Sequence, residues 1–217
     1  MMTDFAGLRA QMVERQIVAR GIRDEALLEA MREVPREEFV ASADRDHAYG
    51  DHPLPIGSGQ TISQPYIVAL MIEAARIGAG DRVLEVGAGS GYAAAVLGEL
   101  GAQVVAIERK AELAAAARDR LARLGYANVE IVEGDGSRGW ADAAPYDAIL
   151  AAASGSHVPE ALVDQLKPGG RLVMPVGGQL WAQKLVKLTK LANGSTKRQS
   201  LGKVRFVPLI GEQGWAS

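Results

Sequence analysis

The sequence predicts a doubly wound α/β fold: an open, mostly parallel sheet with helices on both faces, a C-terminal antiparallel hairpin and N-terminal helices. Three observations predict it. Five short apolar segments, at 82–86, 103–108, 128–132, 147–153 and 171–176, are separated by stretches several of which are helical, clearest at 111–124 and 159–166. Near-continuous apolar strands joined by helical crossovers mark a parallel sheet covered on both sides. A glycine-rich turn follows the first of these segments and opens a helix. After Gly178, two β-like stretches at 183–190 and 203–210 flank Asn193-Gly194, a strong hairpin-turn signal.

Taken in order, residues 1–50 read as a helical attachment. Leu8, Met12, Val13 and Ile17 recur at helical spacing, as do Ala26, Leu27, Ala30, Met31 and Val34. Asp24 is placed to cap the second helix and Pro35 to end it. Residues 51–65 (DHPLPIGSGQTISQP) hold three of the nine prolines and are expected to form an irregular loop, of a kind that often carries function. Residues 80–217 form the α/β core. The whole, at 217 residues, is expected to be one domain.

Composition narrows the function. The chain is 48% hydrophobic, so it can bury a core, and its 24 Lys and Arg against 26 Asp and Glu leave a net charge of −2. A charge that small disfavours general affinity for nucleic acid. Zero cysteines exclude disulfides and thiolate catalysis. Asp4, Arg9, Glu14, Arg15 and Arg20 break any leader-like apolar core near the start, and the apolar runs are too short to span a bilayer. A cytoplasmic protein without a membrane partner is expected.

The densest signal is Glu85-Val86-Gly87-Ala88-Gly89-Ser90-Gly91-Tyr92. Glycines there let the backbone turn tightly at the carboxyl edge of the sheet, where open α/β folds bind small molecules. Glu108 ends the next strand 21 positions after Gly87, the usual place for gripping ribose hydroxyls, and Asp135 follows the third strand in Gly134-Asp135-Gly136. The turn also satisfies the loose dinucleotide pattern, so NAD is a competitor. Charge separates the two: a pyrophosphate wants helix N–H groups and no nearby anion, whereas a sulfonium and an ammonium are favoured beside carboxylates. Three carboxylates at three successive strand ends suit S-adenosylmethionine. Each alone has a structural explanation, as a strand-end or turn residue.

Other chemistries lack their residues. His47, His52 and His157 have no metal-ligand spacing, and no metal is expected. No G-x-S-x-G elbow is present. The fourth strand ends Ala151-Ala152-Ala153-Ser154, without the acceptor and aromatic plate used to hold the amine of a base. The missing general base suits a carboxylate acceptor. With an ordinary pKa near ~4 it is already ionised at neutral pH, so placement and exclusion of water could supply most of the rate.

Pro53-Leu54-Pro55-Ile56-Gly57-x-Gly59-Gln60-Thr61-Ile62-Ser63-x-Pro65 resembles the hallmark loop of the protein-L-isoaspartate (D-aspartate) O-methyltransferases. The resemblance extends through Leu84–Tyr92, Gly134-Asp135-Gly136, Gly139-Trp140, Pro145–Ile149, Gln165–Val173 and Pro175-Val176-Gly177. It also takes in Val34-Pro35-Arg36-Glu37-x-Phe39 and Arg205–Leu209. It implies the Rossmann-like class I methyltransferase fold and transfer of a methyl group from S-adenosylmethionine to the α-carboxylate of L-isoaspartyl residues in aged proteins, leaving S-adenosylhomocysteine. The ester then collapses to a succinimide, and hydrolysis returns some normal aspartate.

By the same resemblance Ser63 is the active-site serine, and Thr61 and Ile62 lie in the same cofactor- and substrate-lining loop and bind the cofactor. Glu85 and Gly87, Ala88, Gly89, Ser90 and Gly91 surround the methionine moiety, Glu108 holds the ribose, and Asp135-Gly136 faces the adenine. Ile56, Thr61, Ser63, Ala152 and Ala153 form the substrate side. Ser63 is expected to hold one carboxylate oxygen by a hydrogen bond rather than attack; the competing reading is that it caps the helix opening at Pro65. One departure stands out: the family commonly has Ala-Ala-Pro where this chain has Ala152-Ala153-Ser154-Gly155, which should loosen the substrate border. A monomer is expected. The rival readings are a small-molecule methyltransferase on the same scaffold, a cofactor-binding protein with weak chemistry, and a dehydrogenase.

Overall fold

A computed structural model describes residues 3–178 and 182–216. Its parallel strands lie where the apolar runs are: β3 (Arg82–Val86), β4 (Gln103–Glu108), β5 (Val129–Glu133), β6 (Tyr146–Ala151) and β7 (Leu166–Val176), with β8 (Gln183–Lys190) and β9 (Thr196–Val204) antiparallel beyond. Ahead of them in the chain, β1 (Leu54–Gly57) and β2 (Gln60–Ile62) form a separate two-stranded hairpin. The seven strands run in the order β5-β4-β3-β6-β7-β8-β9. The chain winds outward from β3 through β4 to β5, then returns to β3's other side with β6. That reversal opens a crevice at the carboxyl end of β3, where such sheets bind ligands.

Alternate residues of each strand face opposite layers. Val83, Ala148, Leu150 and Val173 join the core under the N-terminal helices, while Leu84, Val86, Ile149, Leu172 and Met174 join the core on the other face. Leu84 has no solvent exposure, and truncating such a side chain costs about 2–5 kcal/mol. The first layer holds α1 (Phe5–Met12), α2 (Glu25–Glu33), α3 (Pro65–Ala75) and α4 (Tyr92–Glu99); α5 (Ala111–Arg123) follows β4 and α6 (Glu160–Asp164) follows β6. Asp24 caps α2 by accepting the Leu27 N–H at 3.1 Å, as its position predicts.

Four elements differ from expectation. The first helix is α-helical only to Met12; Val13–Ile17 form a wider turn that keeps both of those residues fully buried. Residues 54–62 are ordered as a hairpin, β1 (Leu54–Gly57) on β2 (Gln60–Ile62), with Pro55 opposite Thr61. Pro55 is tolerated because a two-stranded ribbon leaves one side of each strand unpaired. β7 begins at Leu166, with a register shift against β6 that absorbs Pro168-Gly169-Gly170. The last strand starts at Thr196, directly after the Asn193-Gly194 turn, since turn position fixes hairpin register. Residues 205–210 lie beyond that strand; of them Pro208 pairs with Ser154 and Ile210 with Trp215 as single bridges.

Candidate active site

The crevice beyond β3 is lined from six parts of the chain: residues 59–68, 85–93, 107–110, 136, 152–153 and 207–210. The glycine turn forms its floor: the N–H groups of Gly87 and Ala88 both donate to Ile107 O, at 2.8 and 2.9 Å. Gly91, at φ +87°, opens α4 in a conformation that disfavours any side chain. Ile56 of the β1–β2 hairpin lies over Gly89, where an added Cβ would come within 3.1 Å of Ile56 Cδ1. Arg120 on α5 braces the turn from outside by donating to Ser90 O at 2.8 Å.

Glu85 and Glu108 sit side by side at the ends of β3 and β4. Both are buried, at 2% and 5% exposure. Glu108 accepts the N–H of Gly89 and of Lys110, each at 2.9 Å. The Gly89 N–H that a phosphate would need is therefore already given to a carboxylate. Glu85 Oε2 has no hydrogen-bond partner. Burial, and then the nearby Glu108, push its carboxyl up to about 8. An orphaned, buried, acidic oxygen beside a second carboxylate fits a cationic ligand and rejects an anionic one.

Asp135 departs from the picture of three converging carboxylates. Its Oδ1 accepts the N–H and hydroxyl of Ser137, and its Oδ2 accepts the Glu212 N–H at 2.7 Å. Burial works to raise its pKa, but these hydrogen bonds outweigh it and hold the carboxyl below its ordinary range. The side chain is turned to the chain terminus while Gly136 lines the pocket. Ser137 Oγ accepts the Gln213 N–H at 3.0 Å, and Trp215 Nε1 donates to Ser154 O at 2.9 Å. Together they pin a strap, residues 207–215, of which Val207–Ile210 form one wall of the pocket. Ser154, at the departure noted above, is fully buried, with its N–H on Val207 O and its carbonyl accepting Leu209 N–H. The segment is held to the strap rather than loosened.

Ser63 lies between β2 and α3. Gln64 occupies the cap position of α3, and no side chain caps that helix. The Ser63 hydroxyl has no protein partner among the described residues, while its main-chain oxygen accepts Arg36 Nη2 at 2.8 Å. Arg36 is fully buried, donates also to Ala48 O at 2.7 Å, and lies 4.7 Å over the ring of Tyr92, itself a pocket residue.

Of the residues singled out by sequence, Thr61, Ile62, Ser63, Glu85, Gly87, Ala88, Gly89, Ser90, Glu108, Gly136, Ala152 and Ala153 line this one pocket. Ile56, Gly91 and Asp135 do not line it: Ile56 lies over Gly89, Gly91 opens α4, and the Asp135 carboxylate is turned to the strap. The strap, Tyr92, and Arg109 and Lys110 at the mouth were not foreseen as lining residues. His47, His52 and His157 lie outside it, and the described residues contain no cluster suited to a metal ion.

Fold and site define an α/β protein that receives a cationic adenosyl ligand at carboxylates, the arrangement of an S-adenosylmethionine-dependent methyltransferase. The chain belongs to the Protein-L-isoaspartate(D-aspartate) O-methyltransferase (PCMT) family, whose model matches residues 8–214. It is 58% identical over 215 residues to Protein-L-isoaspartate O-methyltransferase 1 of Rhodopseudomonas palustris (strain HaA2), covering 99% of this chain and 88% of that one. It is 60% identical over 213 residues to the Protein-L-isoaspartate O-methyltransferase of Methylorubrum extorquens (strain PA1), covering 98% and 92%. Among solved structures, a protein-L-isoaspartate O-methyltransferase superposes with a TM-score of 0.87 at 32% identity, over 95% of this chain and 67% of that one. The PCMT of Plasmodium falciparum, solved with S-adenosyl-L-homocysteine, gives 0.80 at 27% identity, over 93% and 98%.

Proposed function

We propose that this chain transfers the methyl group of S-adenosylmethionine to the α-carboxylate of L-isoaspartyl residues in damaged proteins, acting as a monomer in the cytoplasm. One observation carries the reading: a Ser63 hydroxyl and a Glu85 carboxylate oxygen, both without a partner among the described residues, line the same pocket. The first suits an anionic acceptor and the second a cationic donor.

When bound, S-adenosylmethionine supplies a methyl group activated by its sulfonium. Glu85 would hold the positive methionine end, Glu108 would accept from the ribose hydroxyls with its remaining lone pairs, and the backbone at Gly136 would border the adenine. Ser63 would donate to one oxygen of the isoaspartyl carboxylate and aim the other along the line of the breaking C–S bond. No side chain has to remove a proton, because the acceptor is ionised at neutral pH. Ile56 and the strap exclude water, which would otherwise solvate the acceptor oxygen. The absence of cysteine fits a reducing compartment. No helix among the described residues is long and apolar enough to cross a membrane.

The test is methylation of paired peptides that differ only in an L-isoaspartyl or a normal aspartyl residue. Labelling of the first alone supports the reading. Equal labelling of both, or of neither, rejects it.

A further inference from the structure

Net charge conceals a segregation. Between residues 165 and 211 the chain carries nine Lys and Arg and no Asp or Glu, while the remainder carries 15 Lys and Arg against 26 Asp and Glu. Of the nine, Lys167 pairs with Asp147 at 2.7 Å and Arg171 lies 3.4 Å from Asp81. Lys190 is spent on the carbonyls of Val163, Asp164 and Leu166. The other six, Lys184, Lys187, Lys197, Arg198, Lys203 and Arg205, lie on the β8–β9 hairpin or just past it. None has a carboxylate or hydrogen-bond partner among the described residues.

This exceeds what protection of an edge strand requires. β9 ends the sheet, and charge of either sign on an edge strand would discourage unwanted pairing. Here Lys184 and Lys203 are direct cross-strand neighbours, an arrangement that destabilises an antiparallel pair. Lys187 is held below the ordinary lysine range by partial burial and by Arg76 and Arg171. The field is unneutralised within the molecule, at a cost to its own stability.

The hairpin borders the active site at one end. Lys184 is paired with Val176, Val176 bridges Gly155, and neighbouring Ser154 bridges Pro208 of the pocket wall. Adjacent strands are ~4.8 Å apart, so Lys184 and Lys203 lie within a few strand spacings of the pocket. Arg205 precedes the lining residue Val207 by two positions. We propose that this hairpin is a docking surface for acidic segments of the protein substrate, holding carboxylates near the isoaspartyl residue while that residue reaches Ser63. The proposal rests on the function given above and adds a substrate class to it.

Other anionic partners fit less well. β8 and β9 carry no aromatic residue on which bases could stack, and the acidic remainder of the chain would repel a long polyanion. Leu191 is the one large exposed hydrophobic side chain among the described residues, too little to enter a lipid interface.

The test compares three isoaspartyl peptides of one core sequence, flanked by Glu, by Ser or by Lys, with the full chain and with the triple variant Lys184→Gln, Lys203→Gln, Arg205→Gln. The expected result is a KM for the Glu-flanked peptide about five- to tenfold below that of the Ser-flanked one, an advantage lost at high salt. The triple variant erases that advantage and leaves the Ser-flanked peptide unchanged. Equal KM values in the parent chain, or an advantage that survives in the variant, overturns the proposal. So does competition against the Ser-flanked peptide by single-stranded RNA or anionic vesicles where a Glu-rich peptide does not compete. Methylation of none of the three peptides would instead overturn the enzymatic reading. Docking is then read by fluorescence anisotropy of a labelled Glu-flanked aspartyl peptide, which must still bind the parent chain more tightly than the variant.

Discussion

Arg36, a side chain with no solvent exposure, donates from Nη2 to the main-chain oxygen of Ser63 at 2.8 Å. The bond ties the N-terminal helical region to the loop that presents the Ser63 hydroxyl. The same guanidinium holds Ala48 O and covers the Tyr92 ring, so it sets the height of the loop against the pocket floor. Lysine keeps the charge but not the fork. Arg36→Lys should lower kcat for an isoaspartyl peptide about tenfold, with S-adenosylhomocysteine affinity within twofold of the parent by calorimetry. Undiminished kcat in a folded variant would remove the positioning role.

Ser63→Ala removes a hydroxyl that makes no hydrogen bond among the described residues and caps no helix there. Melting temperature should therefore stay within about 1 °C while kcat falls on the order of 10²-fold, the scale of loss when a reacting group is no longer held in line. Cofactor affinity should hold. A matching loss of stability would mean that the hydroxyl serves the fold instead.

Glu85 links stability and binding to pH. Its carboxyl titrates near 8 in the folded chain, against an ordinary value of 4.5. Between those values the folded chain retains a proton that the unfolded chain has released, so stability falls as pH rises from about 4.5 to about 8 and levels off above. Glu85→Gln cannot ionise. Relative to the parent, its melting temperature should rise from pH 5 to about pH 8 and hold a constant lead above that. Binding of S-adenosylmethionine by the parent should tighten toward pH 8, and the variant should bind weakly at every pH. A pH-independent gap between the two melting curves would contradict this.

Asp135→Asn separates two roles. The amide turns one oxygen into a donor that must face the Glu212 N–H or the Ser137 pair, and the strap loses its anchor. KM for the isoaspartyl peptide should rise at least fivefold while S-adenosylhomocysteine affinity changes less than twofold. A selective loss of S-adenosylhomocysteine affinity would return Asp135 to the adenine.

The parts of the site that were legible in the sequence share one property: their partners are close along the chain. The Glu85–Gly91 turn and Glu108 follow from strand ends and glycine spacing, because sheet topology alone brings those ends together. Ser63 was legible from its loop, although the ordered hairpin carrying it was hidden by two prolines. The turn of the Asp135 side chain toward the strap is not legible, because one of its carboxylate oxygens is taken by a backbone N–H 77 residues on. Arg36 carried no hint of burial, since an arginine following a helix-ending proline usually meets water. Val207–Ile210 could not be read as a wall until the return of the chain from β9 was known.

That return has a consequence for the order in which the molecule becomes competent. The floor of the pocket, from Glu85 to Gly136, is complete within the first two thirds of the chain, whereas Val207–Ile210 close it only after seven strands are in place. Chain order thus places the residues of the adenosyl seat ahead of those of the opposing wall. Competence is withheld until the tail has come home to Asp135, Ser137 and Ser154.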